Sequence, residues 1–120
     1  MSNEPVLDPN AIEALRAVSP DDGGAFFREL VDIFLQDTPK RIAEIESTLA
    51  AKNAPDLTRA AHSIKGSSSN FGAEALHDVA RRMEQAGKEQ DYPTVQALLP
   101  AMQAEFSRVK TALEQLSPGA

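Results

Sequence analysis

The chain has 120 residues, with 12 Lys plus Arg against 18 Asp plus Glu, giving a formal net charge of −6. That length suits one domain that buries roughly two thirds of its chain surface, and is too short for a sensor kinase or most two-substrate enzymes. Without cysteine, disulfide scaffolds, thiolate catalysis and Cys-type zinc sites are excluded. The negative charge argues against nucleic acid or an anionic membrane as main partner, since both demand a basic surface. No stretch approaches the roughly 20 apolar residues of a spanning helix. Met1-Ser2-Asn3-Glu4-Pro5 lacks the basic and apolar regions of a secretory signal, so the expected location is cytoplasmic.

The apolar period is helical almost throughout. Asp8-Pro9 followed by Ala11, Ile12 and Leu15 reads as a short first helix with proline in its first turn. Ser19 to Gly24 is turn chemistry, and Asp21-Asp22 reads as solvated charge. A long second helix carries Phe26, Phe27, Leu30, Ile33, Phe34, Ile42, Ile45 and Leu49 at spacings of three and four, with a bend or break expected at Pro39.

Pro55 opens a third helix whose inner side is Leu57, Ala60, Ala61, Ile64 and Phe71, and Gly72 ends that segment. A fourth helix begins at Ala73, buries Leu76, Val79, Ala80 and Met83, and closes at Gly87. The fifth shows one face of Val95, Leu98, Leu99, Met102, Phe106, Val109, Leu113 and Leu116 despite Pro100. No window alternates as a strand. Short connections make the long helices antiparallel, so the expected fold is all-α: an up-down four-helix bundle with a short extra N-terminal helix. Residues 8–116 form the domain in this reading, with loose tails at 1–7 and 117–120.

Residues His62-Ser63-Ile64-Lys65-Gly66-Ser67-Ser68-Ser69-Asn70 break the pattern. If the third helix runs through them, Gly66 costs about 1 kcal/mol relative to Ala, and each Ser roughly half that. Local rules are most often broken at functional sites. At about 100° per residue from Leu57, His62 falls near 140°, Lys65 near 80°, Gly66 near 180° and Ser69 near 120°, all on one face turned from the core.

That face suits phosphoryl transfer to an imidazole. An exposed imidazole with an ordinary pKa of about 6.5 is mostly neutral at pH 7 and carries a nucleophilic lone pair. Phosphoryl transfer asks mainly for position and for positive charge at the equatorial oxygens, which Lys65 could supply. Lys65, as a like charge, also favours the neutral imidazole. The bare position at Gly66 would admit a partner's backbone, and the hydroxyl of Ser69, with that of Ser68, could meet a phosphoryl oxygen. On the residues alone a plainer reading stands beside it: Lys65-Gly66 as a helix C-terminus and Ser67 to Asn70 as a loop.

The string His62-x-x-Lys65-Gly66-Ser67-Ser68, followed by Phe71, Gly72, Ala73, Leu76, Met83 and Glu84, resembles the signature of histidine-containing phosphotransfer (HPt) domains. Leu30 to Pro39 is similar to the family's second helix, and the likeness covers residues 26 to about 115. The resemblance implies a four-helix bundle in which His62 accepts a phosphoryl group from a receiver-domain aspartyl phosphate, or from a sensor kinase, and passes it to a response-regulator aspartate. It places Lys65, Ser69 and Lys88 where side chains stabilise the phosphoryl group. Glu84 falls where a side chain orients the imidazole, and Gly66 where a small residue gives the receiver access.

The resemblance implies no cofactor of its own, with magnesium and the reactive aspartate belonging to the receiver partner. The implied partners are receiver domains of response regulators or hybrid kinases, met by a monomer, and no ATP-binding motif is visible. Such a protein is a phosphoryl carrier more than an autonomous enzyme. His77 reads as surface, and no third ligand has the spacing for zinc with the two histidines. The rival reading from another class is a phosphorylation-independent docking module for receiver domains.

Overall fold

A computed structural model describes residues 6–19 and 21–116, in which five helices follow in chain order. They are α1 (Pro9–Ala17), α2 (Ala25–Ala50), α3 (Ala54–Asn70), α4 (Glu74–Lys88) and α5 (Tyr92–Leu116). The four long helices form the antiparallel bundle, and α1 lies across one end against α2 and α3. Of the two expected tails, residues 1–5 and 117–120 lie outside the described residues, while Val6 packs on the core and Leu7 is buried in it.

Except for α4, which is entered from Ala73 without a side-chain cap, the helices start where the sequence supplies an acceptor for the free N–H groups. The Asp8 carboxylate accepts from the Asn10 amide at 2.9 Å, and the Asn53 side chain accepts from Asp56 at 3.3 Å. Asp22 is more than solvated charge. Its two oxygens accept from the amides of Gly24 and Phe26, each at 2.9 Å, at the entry to α2. The Phe26 bond outweighs the small effect of burial and lowers the Asp22 pKa, helped by Ser19 and by the amides of Gly24 and Ala25.

Proline breaks neither long helix. Pro39 lies inside α2 and Pro100 inside α5, each removing one donor from a ladder otherwise held by packing. Around Pro39, Phe34, Thr38, Ile42 and Ile45 are buried, so the helix gains more from its core face than the missing bond costs.

The core is aliphatic through the middle and aromatic at the α1 end. Ile45, Leu57, Ile64, Leu76, Met83, Val95, Met102 and Leu113 are fully buried. Phe71, at the C-cap of α3, meets Phe27 edge-on at 6.4 Å and Phe34 at 5.1 Å, and Phe34 reaches Phe106 at 5.8 Å. These rings tie α2, the α3–α4 turn and α5 together. Leu116, assigned to the apolar face of α5, is instead exposed because it sits in the helix's last turn.

Two glycines fix the ends of this frame. Gly72 turns the chain with φ +63°, and its carbonyl accepts from the Asp8 amide at 3.0 Å. A Cβ at Gly72 would collide with the Asp8 side chain and reach within 2.8 Å of its nitrogen, so Gly72 also seats α1. Gly87 does not close α4 as expected. The helix runs on to Lys88, and the left-handed residue is Gln90 at φ 57°. Gly87 is small because α3 crosses there: its Cβ would lie 2.5 Å from Thr58 Oγ1 and 3.0 Å from Leu57 Cδ2.

Candidate functional site

The segment that broke helical propensity is helical to Asn70, which removes the reading of Lys65-Gly66 as a terminus. Its serines fit by turning their hydroxyls onto the preceding turn. Ser67 Oγ donates to Ser63 O at 3.0 Å, Ser68 Oγ to Ile64 O at 2.7 Å, and Ser69 Oγ to Lys65 O at 3.2 Å. Ser68 is fully buried, so it faces the core and cannot meet a phosphoryl oxygen. Ser69 is exposed on the same helix face as His62.

His62 stands out from α3 with 64% of its side chain exposed. Its Nδ1 lies 2.8 Å from Oε2 of Glu84, which reaches across from α4 with only 8% of its own side chain exposed. Oε1 of the same carboxylate takes Lys65 Nζ at 2.6 Å, and Lys88 Nζ lies 3.7 Å from Oε2. One nearly buried carboxylate thus gathers three basic groups from two helices.

Burial pushes the Glu84 carboxyl up, but hydrogen bonds from Lys65 and His62, with the charges behind them, outweigh it and hold the pKa below its ordinary value. An ionised carboxylate only accepts hydrogen bonds. The proton of the neutral imidazole therefore sits on Nδ1, leaving the Nε2 lone pair bare. With that tautomer Nε2 has the lone pair a nucleophile needs, without a neighbouring base.

Gly66 is exposed inside α3, one turn before its end at Asn70, and a Cβ there would meet nothing within 4 Å. The fold itself does not require glycine at this position. The spacing of four from His62 leaves a bare strip one turn along from the imidazole.

The structure brings together His62, Lys65, Glu84 and Lys88, with Gly66 and Ser69 on the flanking surface. The sequence reading gave Lys65 and Lys88 to an incoming phosphoryl group; in this structure their ammoniums lie against Glu84. Spacing along one helix carries no signal for this pairing, because it depends on how α3 and α4 sit against each other. His77 is half-buried in a cleft with Asp8, Ser69 and Asp78. Among the described residues no set of His, Asp or Glu is gathered as a metal site, and no helix is long and apolar enough to cross a membrane.

The Hpt domain family model matches residues 29–117. A solved structure, histidine-containing phosphotransfer protein B (HptB) from Pseudomonas aeruginosa PAO1, superposes with a TM-score of 0.85 at 30% identity, covering 94% of this chain and 95% of that one. Curated relatives include the phosphorelay intermediate protein rdeA of Dictyostelium discoideum, 27% identical over 84 residues, 70% of this chain. Another is the multistep phosphorelay regulator 1 of Schizosaccharomyces pombe, 24% identical over 87 residues, 72% of this chain. The matched parts make up only 33% and 30% of those two proteins. A histidine on the outer face of a helical bundle, oriented by a buried carboxylate, defines a histidine phosphotransfer module. The chain belongs to the Hpt domain family.

Proposed function

We propose that this protein carries phosphoryl groups between receiver domains in a phosphorelay, with His62 as the phosphorylated residue. The observation that carries the reading is the 2.8 Å contact of His62 Nδ1 with Glu84, which leaves Nε2 deprotonated and facing solvent. In the proposed reaction the Nε2 lone pair attacks the phosphorus of a receiver's aspartyl phosphate. The P–O bond breaks, the aspartate departs as a carboxylate, and an N–P bond forms. The Lys65 ammonium counters the charge on the equatorial oxygens, a task that magnesium brought by the receiver would share. Lys88 and Ser69 lie on the same surface and can assist, and Gly66 admits the receiver's backbone. The reverse displacement on a second receiver passes the group on.

Membership in the family, the names of the curated relatives and the site geometry support this reading over a docking module. A pure docking surface has no need of an imidazole held in one tautomer. The test is to mix the protein and its His62→Gln variant with radiolabelled, aspartyl-phosphorylated receiver domains. Acid-labile, base-stable label on the wild type alone is the expected result. Binding without label on either protein would replace phosphotransfer with docking.

A further inference from the structure

Glu84 is charged where a neutral side chain would suffice to orient His62. Any acceptor at 2.8 Å from Nδ1 fixes the tautomer, and an amide oxygen would do so. A buried carboxylate carries a larger desolvation cost than an amide, which raises the question of what its charge accomplishes.

The answer lies in the ring after transfer, and it rests on the phosphotransfer reading above. When neutral His62 attacks through Nε2, no proton leaves: the ring keeps hydrogen on Nδ1, gains phosphorus on Nε2, and becomes a cation. In the outgoing step the acceptor's carboxylate oxygen attacks phosphorus, and the N–P electron pair returns to Nε2. With Nδ1 protonated the leaving group is neutral imidazole. Had that proton been lost, the leaving group would be the imidazolate anion, a far poorer one.

We infer that the Glu84 carboxylate holds the Nδ1 proton on phosphorylated His62, and so sets the upper pH limit at which the protein can give its phosphoryl group away. Glu84 is then a positioning residue for a proton as well as for a ring. Its 8% exposure leaves little water to screen the attraction. The local charges make it necessary, because Lys65 at 2.6 Å and Lys88 at 3.7 Å from the carboxylate both disfavour a cationic ring. Without the negative charge only the phosphoryl group itself would offset the two ammoniums.

Several other charged side chains on the surrounding helices are paired locally. On α3, Arg59 pairs with Asp56 at 3.3 Å. On α4, Arg81 and Arg82 pair with Asp78 at 2.7 and 3.0 Å. On α2, Arg41 pairs with Asp37 and Glu44 at 3.3 and 2.8 Å, and on α1 Arg16 lies 5.0 Å over the Phe27 ring. Among the described residues Glu84 is the imidazole's one ion-pair partner.

The experiment compares wild type with Glu84→Gln, whose amide oxygen can accept the same hydrogen bond without the charge. Both are phosphorylated with labelled phosphoramidate, transfer to one receiver is followed across the alkaline range, and ring protonation is read by 15N NMR. The expected result is a phosphorylated wild-type ring that loses its Nδ1 proton at a pH at least about one unit higher than the variant's. The ratio of wild-type to variant transfer rate then rises about tenfold between mildly acidic and alkaline pH. Coincident 15N titrations would overturn the inference even with both proteins labelled. Should the variant not fold, the wild-type ring is compared with a phosphohistidine peptide. A titration no higher than the peptide's sinks the inference equally. Failure of wild type to take label at all would instead remove the phosphotransfer reading.

Discussion

Lys65 Nζ sits 2.6 Å from Glu84 Oε1, so the residue best placed to counter a phosphoryl group's charge is, in this structure, bound to a carboxylate. An incoming phosphoryl dianion at Nε2 competes with Glu84 for the same ammonium. Lys65 has one turn of helix between it and His62, and its flexible stem lets the charge swing between the two anions.

Replacing Lys65 with Ala is therefore expected to act twice. Transfer slows because positive charge is missing in the transition state. Stability falls by about 1–2 kcal/mol because a nearly buried carboxylate loses a charged donor, partly offset by His62 and Lys88. Urea denaturation and single-turnover labelling read the two effects separately. An unchanged transfer rate would remove Lys65 from the reaction.

The same carboxylate makes folding pH-dependent, and the sign follows from the direction of its shift. Burial alone would raise the Glu84 pKa, but the bonds from Lys65 and His62 leave it below the ordinary value of 4.5. The folded state thus binds this proton less tightly than the unfolded chain. Its contribution is fully present above about pH 5 and is lost as pH falls through the folded value. Glu84→Gln should flatten the acid limb of stability against pH. Asp22 and Asp78 are lowered too, so a residual slope remains. A variant curve parallel to wild type below about pH 5 would show that the pair contributes nothing in solution.

Gly87 gives a packing prediction. On propensity alone Gly87→Ala should stabilise α4 by about 1 kcal/mol. The added methyl, however, would stand 2.5 Å from Thr58 Oγ1 and 3.0 Å from Leu57 Cδ2. Overpacking of this kind costs about 1–3 kcal/mol, so a net loss is expected. Thr58 Oγ1 is buried without a hydrogen-bond partner, so Thr58→Ala removes the obstacle without breaking a bond. The double variant should recover most of the loss in thermal melts. A single Gly87→Ala variant that melts higher than wild type would show that α3 and α4 are looser than this packing.

Most of this was legible because helical periodicity is a local signal. The five helices, the apolar stripes of α3 and α4, and the outward face of His62, Lys65, Gly66 and Ser69 all follow from spacing. What escaped depended on contacts between helices or on cap geometry. Gly87 looks like a terminator in one dimension and becomes a contact point only where α3 crosses. Pro39 looks like a break until the buried side chains on both sides of it are counted. Ser68 is different: eleven residues from Leu57 is about 20° on the wheel, so its inward direction was readable and only its chemistry pointed outward. The Lys65–Glu84 pair needed the relative height of two helices, which no periodicity supplies.

Gly66 offers the sharpest separation of fold from function. It lies exposed within α3, where a Cβ would touch nothing within 4 Å, so the helix would be more stable with almost any other residue. Gly66→Gln should raise stability by about 0.5 kcal/mol through helix propensity while leaving the helical CD signal intact. The same long side chain would project one turn from His62, into the space that, on the proposed function, a receiver's backbone enters to bring its aspartate to Nε2. Transfer from a phosphorylated receiver is therefore expected to fall to background, whereas labelling by phosphoramidate, which is small enough to reach the imidazole past the side chain, persists. Full receiver transfer by this variant would mean that the partner approaches from another side. Loss of both labelling routes would place the damage at His62 itself, and the glycine would no longer mark an entrance.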